Sequence, residues 1–127
     1  MIKKILIVED EEDIVKLLYI VFSDLVIYKI LYAKDGQEAI NRARVDNPDI
    51  ILLDIQLPSL NGYEVCRLLK SNPTLSHIKV LMLSSMTQES DRLKAQEAGA
   101  DDYITKPFSS IALLKKLEEL LRSDQEN

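Results

Sequence analysis

The sequence predicts an α/β fold, a single five-stranded parallel sheet with five helices on its two faces. Three observations predict it. Short apolar runs alternate strictly with segments of helical period along the 127 residues, the pattern of parallel strands joined by crossover helices. The strand-like runs are near-continuously apolar, as strands covered on both faces must be. The length is that of one domain, enough to bury a core without disulfides or a structural metal.

Each element has its own justification. KILIV, residues 4–8, is short, branched and uncharged after Lys4, and reads as a buried strand. Over residues 12–25, Ile14, Leu17, Leu18, Val21, Phe22 and Leu25 recur at helical spacing. YKILYA, residues 28–33, is a more polar strand suited to a sheet edge. Asp35-Gly36 is a turn signal, and the helix over 37–46 is stopped by Asn47-Pro48. DIILLD, residues 49–54, is the most apolar strand, and the helix over 62–71 turns Val65, Leu68 and Leu69 inward. IKVLMLS, residues 78–84, is the fourth strand, followed by a weakly amphipathic helix over 88–98 that ends at Gly99. DDYIT, residues 101–105, is the fifth strand. The last helix, 109–122, carries Leu113, Leu114, Leu117, Leu120 and Leu121 on one face. The domain is expected to span 1–122, with SDQEN, 123–127, as a frayed tail.

Composition narrows the function. The net charge of -5 argues against nucleic-acid or membrane binding by this domain, because both require basic patches. The uncharged apolar stretches are too short to cross a bilayer. Met-Ile-Lys-Lys-Ile runs directly into a strand with no signal-peptide pattern, and the single cysteine, Cys66, suits a reducing compartment. A cytoplasmic location is expected.

In a parallel α/β sheet, ligands bind beyond the carboxyl ends of the strands. Glu9 and Asp10 follow the first strand, Asp54 closes the third, Ser84 and Ser85 follow the fourth, and Lys106 follows the fifth. These are three carboxylates, two serine hydroxyls and an ammonium. Close carboxylates repel unless a cation joins them. A hard divalent ion with oxygen ligands fits best, since no cysteine or histidine lies near these positions. The same groups suit phosphoryl transfer: a metal and Lys106 would neutralise phosphoryl oxygens, a hydroxyl would donate to another, and a carboxylate can be the nucleophile.

These stretches resemble the receiver domain of two-component response regulators, the chemotaxis-regulator-like module, over about residues 3–122. ILIVEDEED is similar to the family's acidic first loop. DIILLDIQLPSLNGYE resembles its phosphoacceptor segment, VLMLSS its hydroxyl segment, and GADDYITKPF its lysine segment with a lysine–proline bond that is usually cis. The resemblance implies a flavodoxin-like (β/α)5 sheet in strand order 2-1-3-4-5. It implies that Asp54 accepts a phosphoryl group from a histidine kinase or phosphotransfer protein, or from a small donor. Mg²⁺ would be held by Asp10, Asp54 and the Gln56 carbonyl, with Glu9 helping through a water. Lys106 would pair with Asp54 and then with the phosphoryl group. Ser84 would move to that group, and Tyr103 would fill the space it leaves. The module would be a switch that phosphorylates and dephosphorylates itself rather than an enzyme proper. It would act on an output domain or a downstream protein through the fourth and fifth strands and helices, and a phosphorylation-dependent homodimer is an option. Ile111 and Ala112 stand where the winged-helix subgroup uses an acidic residue for its dimer, which argues against that particular dimer.

Departures are few. Glu9 stands for the commoner aspartate, Ser84 for threonine, and Ser85 for a small residue that is often alanine. Gln56 and Ser85 flank the site and would tune hydrolysis of the acyl phosphate. Glu11, Glu12 and Asp13 read as helix-start acids, His77 as surface, and Cys66 as a packed thiol. Three other functions fit less well. A haloacid-dehalogenase-type phosphohydrolase would need an Asp two residues after Asp54, where Gln56 stands. A flavodoxin-like cofactor binder would need a phosphate-cradling loop where the acidic EDEED lies. A phosphorylation-independent adaptor would not need the full set of groups that is present.

Overall fold

A computed structural model describes residues 2–23, 27–58, 60–85 and 89–125. The elements are β1 (Lys3–Val8), α1 (Glu12–Ser23), β2 (Tyr28–Ala33), α2 (Gly36–Asp46), β3 (Ile50–Asp54), α3 (Gly62–Ser71), β4 (Lys79–Ser84), α4 (Glu89–Glu97), β5 (Asp102–Thr105) and α5 (Ser110–Gln125). The strands form one sheet in the order β2-β1-β3-β4-β5, and every neighbouring pair is parallel. The alternation read from the sequence is therefore the fold.

The sheet separates two apolar clusters. On one face α1 and α5 pack Leu18, Phe22, Leu113 and Leu117 against Ile5, Ile7, Ile50, Leu52 and Leu81. On the other, α2, α3 and α4 bring Ala39, Ala43, Val65, Leu69 and Ala95 against Leu6, Val8, Ile51, Leu53 and Val80. Successive strand residues point to opposite faces, so a strand feeding both clusters must be apolar at every position. All five residues of β3 are buried. Edge strand β2 is only partly covered, which matches its mixed composition.

The local stops are chemical. Asp35, part of the predicted turn, caps α2: its side chain accepts from the Glu38 amide at 2.8 Å. Asn61 caps α3 by accepting from Glu64 at 3.0 Å, while its own amide donates to the Glu64 carboxylate at 2.9 Å. Asn47 ends α2 in the left-handed region at φ 47°, and Gly99 follows α4 at φ 94°.

The inward assignment of Leu68 is corrected, and Leu17, at helical spacing in α1, is also exposed. Leu17 is 40% exposed and Leu68 is 49% exposed. A helix lying on a sheet buries a narrow stripe, here Leu18 and Phe22 in α1 and Val65, Cys66 and Leu69 in α3, and the residue one place off the stripe lies at its rim. Leu25 lies outside the described residues. α5 runs to Gln125, beyond the predicted helix end at 122.

Candidate functional site

The parallel register carries the chemically active residues to one edge. Val8 is level with Leu53, Asp54 with Leu83, and Ser84 with Thr105. Glu9, one residue past β1, therefore meets Asp54 at the end of β3 and Lys106 one residue past β5. Residues 97 and 52 positions apart in the chain become hydrogen-bonded neighbours. The backbone reinforces this. The Lys106 amide donates to the Ser84 carbonyl at 2.7 Å, and the Ile55 amide donates to the Leu83 carbonyl at 3.1 Å. The Lys106–Pro107 peptide is cis.

Lys106 is the electrostatic centre. Its ammonium donates to Glu9 Oε1 at 2.6 Å, to Asp54 Oδ2 at 3.3 Å and to Glu11 Oε1 at 3.4 Å. The Glu9 side chain is fully buried and that of Asp54 nearly so. Glu9 Oε2 accepts from the amides of Asp10 and Glu11, and Asp54 Oδ1 accepts from the Gln56 amide at 3.1 Å. Burial, then the nearby Asp54, push the Glu9 carboxyl up to about 7 against the opposing pull of Lys106. Burial alone would lower the Lys106 pKa, but its hydrogen bond to Glu9 and the charges of Asp54, Glu9 and Glu11 outweigh it, and the pKa is raised.

The predicted residues divide into three groups. Glu9, Asp54 and Lys106 are brought into direct contact. Ser84 is buried at the end of β4, and Tyr103 is half-buried in β5 against the α2–α4 cluster. Asp10 and Gln56 are exposed at the mouth, where both line one cleft with Pro58 and Asn61. The tightest carboxylate triad among the described residues is Glu9, Glu11 and Asp54, with one oxygen from each lying within 4.8 Å of the others. Sequence reasoning left Glu11 as a helix-start acid. α1 begins only at Glu12, so Glu11 belongs to the loop and its side chain reaches Lys106. The available signal was its place two residues after Glu9. His77 and Cys66 are as predicted: His77 is exposed, with Nε2 3.0 Å from Asn47 Oδ1, and Cys66 is fully buried.

The donors fit a hard dication. Every candidate ligand is oxygen, the carboxylates already converge, and one of them, Glu9, is held where its own charge is disfavoured. A second cation beside Lys106 would relieve that repulsion. No helix among the described residues is long and apolar enough to cross a membrane.

Comparison with known proteins agrees with this geometry. The family model for the response regulator receiver domain matches residues 5–118. The chain is 41% identical to the alkaline phosphatase synthesis transcriptional regulatory protein PhoP of Bacillus subtilis, over 97% of this chain and 50% of that protein. It is 39% identical to the response regulator PleD of Caulobacter vibrioides, over 94% of this chain and 26% of that protein. The chain thus spans half or less of these relatives. Among solved structures, the chemotaxis response regulator CheY4 of Vibrio cholerae superposes with a TM-score of 0.87 at 27% identity, covering 94% of this chain and 99% of CheY4. With its 2-1-3-4-5 parallel sheet and its acid–lysine cluster at the strand ends, the chain belongs to the response regulator receiver domains of two-component signalling.

Proposed function

We propose that this receiver is switched by phosphorylation of Asp54 in a Mg²⁺-dependent reaction. One observation carries the reading: a single ammonium, Lys106, bridges the buried Asp54 at 3.3 Å and the buried Glu9 at 2.6 Å. An oxygen of Asp54 would attack the phosphorus of a phosphohistidine on a kinase or phosphotransfer protein, or of a small acyl phosphate. The bond from phosphorus to the donor breaks. A leaving imidazole keeps the electron pair at nitrogen, and acetate leaves as the anion.

Glu9, Asp10, Asp54 and the Gln56 carbonyl would hold the ion, Glu9 through a water, with Glu11 as a further carboxylate at the rim. Bound Mg²⁺ supplies charge neutralisation for the phosphoryl oxygens and for the carboxylates. Lys106 would exchange a carboxylate partner for a phosphoryl oxygen, and the Ser84 hydroxyl would donate to another. Tyr103 would then move into the space beside Ser84. Hydrolysis returns Asp54 and inorganic phosphate, and since no outside substrate is turned over, the domain is a switch rather than an enzyme.

The moving element is α4. Only Asp91 and Ala95 of its nine residues are buried, so little apolar contact resists its displacement. The readout would be made by an output domain or a downstream protein on the face formed by β4, β5, α4 and α5. The test is titration with beryllofluoride and Mg²⁺, followed by amide NMR. Mg²⁺-dependent binding with shifts around Ser84 and Tyr103 supports the reading, and absence of binding overturns it.

A further inference from the structure

A second route leads from the acceptor strand to α4, and it does not pass through Ser84. It begins at Gly62, whose amide donates to the Ile55 carbonyl at 2.8 Å. A Cβ at Gly62 would lie 2.5 Å from the Asp54 carbonyl oxygen and 2.7 Å from Ile55 Cα. The start of α3 is therefore seated directly on the backbone of the residue that carries the acceptor carboxylate. The next side chain is Tyr63. Its ring lies between the two regions, lining the cleft beside Gln56, Leu57 and Pro58 on one side and packing into the α2–α4 cluster with Ala95 and Tyr103 on the other. Its hydroxyl donates to the carbonyl oxygen of Asp91 in α4, 28 residues away, at 3.3 Å.

That bond matters because few side chains of α4 are buried. Its interior contributes Ala95 and the short Asp91 side chain, while Leu93 is 49% exposed. The bond is also long for a hydroxyl donor, so it is easily broken. Burial, with the charges of Asp91 and Tyr103 nearby, raises the Tyr63 pKa, which keeps the phenol a donor at neutral pH.

We propose that the Tyr63 hydroxyl is a latch that holds α4 in the unphosphorylated position, making Tyr63 a positioning residue that opposes the switch. It couples the Asp54 backbone to α4 through Gly62, in parallel with Ser84 and Tyr103. The proposal rests on the phosphorylation reading, because a latch presupposes a displacement for it to resist. Losing a latch favours the activated form, whereas losing a merely structural contact weakens it.

Tyr63→Phe removes one oxygen and leaves the ring in place. Two measurements decide the matter. In the ligand-free protein, hydrogen exchange of the α4 amides should rise by about two- to tenfold, the range expected for one net hydrogen bond, while β1 and β3 amides stay unchanged. In the presence of Mg²⁺, half-saturation by beryllofluoride should fall by a similar factor. Unchanged α4 exchange, or unchanged or weaker beryllofluoride binding by the variant, overturns the latch. If the wild-type chain itself fails to bind beryllofluoride, the phosphorylation reading fails instead, and the exchange measurement on the free protein still decides whether Tyr63 restrains α4. Tyr63→Leu, which also removes the ring, should loosen α4 further without improving beryllofluoride binding beyond Tyr63→Phe; tighter binding than Tyr63→Phe would assign the restraint to the ring rather than to the hydroxyl.

Discussion

Lys106 Nζ lies 2.6 Å from Glu9 Oε1, closer than to Asp54 at 3.3 Å. Lys106 is therefore held chiefly by Glu9 and only secondarily by Asp54. On the proposed phosphorylation of Asp54, an incoming phosphoryl group would recruit Lys106 from Asp54 while Glu9 keeps the ammonium in place.

Replacing Lys106 exposes this arrangement. Lys106→Met leaves buried carboxylates without their cation and should cost about 3 kcal/mol at pH 8, measured by urea unfolding in a chelator. The cost should shrink at pH 5, where Glu9 can take a proton instead. The variant should still accept phosphate from acetyl phosphate, but without the amide shifts between Ser84 and Tyr103. Wild-type shifts in the labelled variant would remove Lys106 from the switch.

Metal-free stability should fall as pH rises. Folding raises the Glu9 pKa from 4.5 to about 7. Between those values the native protein holds a proton that the unfolded chain has released, so its advantage is full below about 4.5 and is lost as pH climbs to about 7. Unfolding in EDTA at a series of pH values should show this slope, and Glu9→Gln should flatten it. Mg²⁺ at about a hundred times its Kd should restore about 2.7 kcal/mol at neutral pH, and an unshifted melting temperature would count against the ion site.

Asp10 and Glu11 can be told apart. Asp10 shares its cleft with Gln56, whereas the Glu11 carboxylate already accepts from the Lys106 ammonium at 3.4 Å. Asp10→Asn should raise the Kd for Mg²⁺ by about tenfold or more, and Glu11→Gln by less, as isothermal titration would show. The reverse order would make Glu11 the ligand.

The acceptor assignment is tested by mass. Wild-type protein incubated with acetyl phosphate and Mg²⁺ should gain one phosphoryl group, and Asp54→Asn should gain none. Undiminished label in the variant would move the acceptor elsewhere.

Cys66 should be inert in the folded protein. It is fully buried, and burial pushes its thiol up to about 11, so the thiolate is scarce and shielded at neutral pH. Labelling by iodoacetamide should be negligible in buffer and rapid in urea; fast native labelling would contradict the packing of α3.

The backbone was legible because its signals are local. Five short runs rich in apolar residues and five helical stripes specify the alternation, and β2 was placed at the edge by Lys29 and its two tyrosines alone. Glu9, Asp54 and Lys106 could be read because each stands at a strand end, where a parallel sheet collects side chains. Leu68 was misplaced because a 3.6-residue period marks the centre of a buried stripe more sharply than its margin. Glu11 was missed for a different reason: an acid one residue before a helix looks the same in sequence whether it serves the helix dipole or turns toward a lysine 95 residues away. The Tyr63–Asp91 contact had no local signal at all, since it depends on how two helices lie on one sheet.

The sheet's division of the interior into two clusters has a consequence for how this molecule can vary. Tyr63, Tyr103 and Ala95 all lie on the α2–α4 side, whereas α1 and α5 seal the other. Substitutions beneath Phe22 in α1 should thus lower the melting point while leaving the packing of α4 nearly intact, because the sheet stands between them. The α1 layer can therefore be retuned for robustness with little cost to the mobility of α4 on the far side of the sheet.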